Sequence, residues 1–211
     1  MLSLETLLLF MGASALLALA PGPDVIFVIT QGITKGTKAA IATTFGLTTG
    51  VLVHTTAAAL GISVIFQTSA IAFDIVKYLG AAYLFYLAYQ AFKHRDDLIV
   101  INKTGEKKGE SIKKLYIKGF FMNVLNPKVA IFFLAFLPQF VDASRGSIPL
   151  QMIQLGLCFM LVTLIIFSLS GILANKASQT LMQKPTFAKT VNTLSSIVFI
   201  SLGLKLALSE R

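Results

Sequence analysis

LALAPGPDVIFV, residues 17–28, puts Pro21, Gly22, Pro23 and Asp24 in the middle of the first long apolar run of the chain. Proline lacks a backbone N–H and clashes with the preceding turn, and glycine loosens the backbone, so a helix entering at Leu17 breaks near Pro21 and restarts near Pro23. In water such a break is unremarked. In a bilayer, freed amides and carbonyls are tolerated only where protein or a watery cavity satisfies them. The meaning of the stretch therefore depends on the solvent around it.

Composition supplies that solvent. The chain has 211 residues, 55% of them hydrophobic and only 13% charged, and a mean hydropathy of +0.80. These values lie outside the soluble average and match a membrane chain with room for several helices of about 20 residues. Ala18-Leu19-Ala20 imitates a signal-peptide cleavage site. The segment before it, however, carries Glu5 and no Lys or Arg, so it reads as a retained span.

Long uncharged windows predict six spans: Thr6 to Gln31, Ala39 to Ile62, Ile71 to Phe92, Gly119 to Val141, Pro149 to Ala174, and Phe187 to Leu208. Gln67-Thr68-Ser69 serves as a tight connection between the second and third, and a five-span division is the alternative. The chain is one transmembrane domain, with a first half 1–92, a loop 93–118 and a second half 119–211. Most of the 18 basic residues fall in that loop or on the side reached by alternating outward from it. The positive-inside rule then makes the loop cytoplasmic and places both termini outside. The net charge of +9 is accordingly a topology signal rather than a nucleic-acid footprint. Ser111 to Lys118, SIKKLYIK, reads as a solvated segment leading into a helix.

The fourth span repeats the device of the first. In LNPKVAIFF, residues 125–133, Asn126 can cap a new helix start, Pro127 suits its first turn and Lys128 follows. Aligning Pro23 with Pro127 sets Asp24 against Lys128. Three spans per half give the halves opposite orientation, so the fold class is an all-α polytopic membrane protein. It has two inverted three-helix halves, with helices 1 and 4 interrupted by proline. Interrupted helices at matching positions point to the substrate site of secondary transporters. The candidate site is Pro21, Gly22, Pro23, Asp24, Asn126, Pro127 and Lys128. Lys128 and the amides after Asn126 would face a carboxylate, and Asp24 an ammonium. The alternative is that Asp24 and Lys128 neutralise each other.

Gly46, Gly50 and His54 share one face of the second helix; the glycines read as packing residues. His54 either relays protons, alone or with Asp24, or is a neutral core residue bonded to a nearby threonine. Asp74 and Lys77 are spaced for an ion pair, and the aromatics from Tyr78 to Phe92 read as lipid-facing or packing groups. No nucleophile elbow, phosphate loop or HExxH occurs. The sequence therefore indicates no enzyme, no metal and no cofactor. The lone Cys158 excludes an internal disulfide.

APGPD in the first span, QGITKGTKAAIATTFGLTTG leading into the second, KYLGAAYLFYLAYQAFK in the third and NPKVAIFFLAFLPQFV in the fourth resemble the LysE/RhtB family of amino-acid exporters. The resemblance runs from Leu17 to about Val141. It implies a bacterial inner-membrane protein of about six spans that exports amino acids or derivatives, coupled to a proton or ion gradient. A small neutral amino acid and membrane lipid are its expected partners, with a homodimer as a further expectation. A passive channel and a membrane assembly protein are the alternative functions.

Overall fold

The computed structural model describes residues 2–62, 70–95, 110–176 and 185–208. The 67–69 connection, loop residues 96–109, the 177–184 connection and the C-terminal tail lie outside the described residues. Among the described residues every regular element is a helix. The helices are α1 (Leu4–Leu19), α2 (Pro23–Lys35), α3 (Thr37–Ala57), α4 (Ala70–Lys93), α5 (Ile112–Val124), α6 (Pro127–Ile131), α7 (Ile148–Lys176) and α8 (Pro185–Ala207).

Local chemistry sets the boundaries. Ser3 caps α1, its Oγ accepting the Thr6 N–H at 3.1 Å. Gly36 separates α2 from α3 with φ +85°, a left-handed conformation that suits glycine. Ser111 caps α5, which begins seven residues before the span predicted at Gly119. SIKKLYIK is thus the cap and first two turns of a helix, with Leu115 buried and Lys114 exposed, and the predicted loop shortens accordingly. After α6 the helix widens into a π turn over Phe132–Phe136 and tightens into a 3-10 turn over Leu137–Phe140.

α1 and α2 form one rod bent by 60°, and α5 with Pro127–Phe140 a second bent by 48°. By length and composition α7 is apolar enough to cross a membrane unaided, and each bent rod, taken as one span, passes the same test. α3, α4 and α8 have 21, 24 and 23 residues. They are long enough to span, and α3 is more polar because it carries many threonines. Hydroxyls of Thr43, Thr48 and Thr55 donate to carbonyls four residues back, which satisfies them without water.

Each bent rod packs against the second and third helices of the other half. α1 and α2 lie on α7, and α1 also touches α8. α5 lies on α3, and the Phe132–Phe136 turn lies on α4. α3 meets α7, and α4 meets α8. With each bent rod taken as one unit, exchanging the halves keeps these pairings, as in an inverted repeat. α2 and α5 have 13 residues each, about 20 Å at 1.5 Å per residue, so the two breaks lie at matching distances from the Lys35 and Ile112 ends.

The exterior is the inverse of a soluble protein's. On α7, Ile153, Leu157, Leu161, Ile165, Leu169 and Leu173 recur every four residues, and all are exposed. Tyr78, Tyr86, Tyr89 and Phe92 face outward from α4, as expected. Asp74 and Lys77 form the anticipated ion pair at 3.2 Å. The interior holds a cluster of Phe10, Phe132, Phe133, Phe136, Phe140 and Phe159, with ring centroids as close as 5.0 Å.

Candidate functional site

The two breaks meet in the core. Pro23 and Pro127 each occupy the first turn of the outgoing helix, so Asp24 and Lys128 stand at equivalent positions, as the alignment predicts. Asn126 caps α6 by accepting the Lys128 N–H at 3.0 Å. That amide is therefore already bonded and does not offer itself to a carboxylate, a correction to the expectation that it would.

Proline at position i removes the donor for the carbonyl at i−4, which leaves Asn123 O without its helical partner. It is recovered by the Asn126 N–H at 2.9 Å and by His54, whose Nε2–H donates to it at 3.0 Å. A carbonyl can only accept, so Nε2 carries the proton. His54 thus bonds a backbone carbonyl on another helix and not the neighbouring threonine expected of it. At the first break, Lys128 Nζ donates to Ala20 O at 2.8 Å, at the carbonyl end of α1 where the helix dipole favours a cation.

Asp24 is 4% exposed. Its Oδ2 accepts from Asn123 Nδ2 at 2.9 Å, and its Oδ1 is buried with no hydrogen-bond partner. The Lys128 ammonium lies beyond 4 Å of this carboxylate, so the pair does not neutralise itself by direct contact. Asp24, Lys128, Asn123, Asn126 and Gly22 line a cavity closed by Val25, Leu47, Val51 and Phe159, with Thr163 on the α7 side. The space there has a volume of about 20 Å³, enough for a water or two.

Of the residues singled out from sequence, Asp24, Asn126, Lys128 and Gly22 reach the cavity wall. Pro21, Pro23 and Pro127 shape the backbone without lining it, and His54 lies one residue behind the wall. Sequence reasoning passed over Asn123. The available signal was an amide in an apolar run, one turn before Pro127. Gly46 and Gly50 are packing residues: a Cβ on Gly46 would collide with Tyr116 O, and one on Gly50 would come 2.9 Å from Asn123 Cβ.

Fold and site together define a polytopic α-helical membrane protein whose two broken helices line a charged pocket. The chain belongs to the LysE type translocator family, a family of transporters, whose model matches residues 15–210 and so extends past the motifs into α7 and α8. It is 30% identical over 98% of its length to the whole of an uncharacterized membrane protein, YrhP, of Bacillus subtilis. It is also 30% identical, over 92% of each chain, to a homoserine/homoserine lactone efflux protein of Salmonella typhimurium. A Vibrio cholerae membrane protein is 27% identical over 96% of this chain and 97% of its own. No solved structure matches the chain.

Proposed function

We propose that this protein is a secondary exporter of small neutral amino acids or their derivatives across the bacterial inner membrane, exchanging substrate against a proton or ion gradient. One observation carries this reading. A single cavity holds a carboxylate oxygen with no donor and an ammonium whose one bonded partner is a neutral carbonyl. A zwitterion supplies both missing partners, and neither of its charges can be buried without them.

In this reading the substrate ammonium meets Asp24 Oδ1, and the carboxylate draws Lys128 away from Ala20 O. The flanking apolar residues exclude water and accept a short side chain. The space for a water or two represents the closed state, and the bent helices part to admit substrate. The kinship with homoserine/homoserine lactone efflux proteins supports a substrate of that size. The basic segment 93–118, whose last residues open α5, faces the cytoplasm, both termini lie outside, and the exposed apolar faces meet lipid or a second copy of the chain.

The test is counterflow in liposomes with labelled threonine, homoserine, leucine and lysine, with and without a pH gradient. Gradient-driven accumulation of a neutral substrate is expected, with at least a tenfold loss in Asp24→Asn and in Lys128→Gln protein that still inserts. Flux that never exceeds equilibrium would make the protein a channel. Unimpaired transport in both variants would remove the site assignment.

A further inference from the structure

Asn123 stands at a junction of three helices that the exporter reading does not use. Its amide Nδ2 donates to Asp24 Oδ2 across 99 residues of sequence. An ionised carboxylate only accepts, so the N–H side of the amide must face it. Its backbone carbonyl, orphaned by Pro127, is held by His54 Nε2–H. Its side chain lies in the notch left by Gly50, where an added Cβ would stand 2.8 Å from Asn123 Oδ1. Gly50 and His54 are one turn apart on α3, so a single helix grips Asn123 at both side chain and backbone. Asn123 is 2% exposed and lines the cavity.

We propose that Asn123 is the positioning residue of the site: clamped by Gly50 and His54, it occupies Asp24 Oδ2 and presents Oδ1 alone to the substrate. This rests on the exporter reading and refines the substrate class. One open acceptor on a fixed carboxylate requires a ligand nitrogen that carries an N–H. Primary and secondary ammonium compounds meet that requirement, and a quaternary ammonium of the same size does not. His54 acts in this arrangement as a fixed donor and not as a proton relay.

The experiment measures KM and maximal rate in liposomes for the best amino acid found above and for its N,N,N-trimethyl analogue as competitor. Wild-type protein is expected to discriminate at least tenfold against the analogue. Asn123→Leu should raise KM for the amino acid about tenfold and reduce that discrimination, because Asp24 is then free to turn. His54→Gln keeps a side-chain N–H donor and should preserve KM, discrimination and the pH profile of transport, whereas His54→Leu should follow Asn123→Leu. If Asn123→Leu does not insert, Gly50→Ala, which pushes on the same side chain, should raise KM at least threefold.

A purely structural role would lower the amount of folded protein or the maximal rate with KM and discrimination unchanged, and that result overturns the proposal. Wild-type protein that moves no amino acid defeats the exporter reading itself, a separate failure. An altered pH profile in His54→Gln restores the relay and overturns the fixed-donor role.

Discussion

Lys128 and Asn126 show how single side chains keep a broken helix stable in apolar surroundings. Lys128 Nζ satisfies Ala20 O in the opposite half, and Asn126 Oδ1 satisfies the first amide of α6. Replacing Asn126 with Ala removes a cap, which typically costs about 1 kcal/mol. The expected readout is a lower temperature of half-aggregation in detergent, followed by size exclusion of heated samples. Lys128→Met keeps the alkyl stem and strands the Ala20 carbonyl, whose desolvation costs about 1–3 kcal/mol. It should melt lower than Asn126→Ala even before transport is measured. The cap was legible because Asn-Pro is a local pattern. The Lys128 bond was not, since donor and acceptor lie 108 residues apart.

At the scale of elements, α3 and α5 approach until backbone meets backbone. Gly46 lies against Tyr116 O, and a Cβ on Gly119 would come 2.6 Å from Thr43 O. Gly46→Val should cost about 1–3 kcal/mol by overpacking, seen as reduced recovery of monodisperse protein. By contrast Gly12, which has nothing within 4 Å of an added Cβ, should tolerate Ala with no measurable change. The glycine face was readable from its four-residue spacing. The π turn at Phe132–Phe136 was not, because widening a helix by one residue answers the packing of Phe132 against Phe10, Phe133 against Phe159 and Phe136 against Phe140. Aromatic content alone does not encode that arrangement.

Over the whole molecule, the proposed orientation assigns the ends of the rods to opposite faces. Lys35 pairs with Glu110 at 2.7 Å, joining the end of α2 to the approach to α5. Ala143 and Arg145 sit in the short turn leading to α7. In a Cys158→Ser background, Lys114→Cys and Ala143→Cys should label from opposite faces of sealed vesicles. Lys114→Cys should react from the cytoplasmic side. Labelling of both from one side would contradict the proposed orientation.

The sequence by itself determined what depends on local covalent chemistry and on the solvent. It specified a helical membrane chain, the two breaks where proline withholds an N–H, the caps and the equivalence of Asp24 with Lys128. Helix lengths followed from the same apolar windows, except that α5 runs on through a lysine-rich stretch whose Leu115 is buried against α3 residues. Only the tertiary structure decided which groups complete each other. Asn123 holds Asp24, His54 holds Asn123 and Lys128 holds Ala20, over separations of 99, 69 and 108 residues. Such bonds form because a buried donor or acceptor must find a partner wherever packing brings one, and packing is a property of all the helices at once.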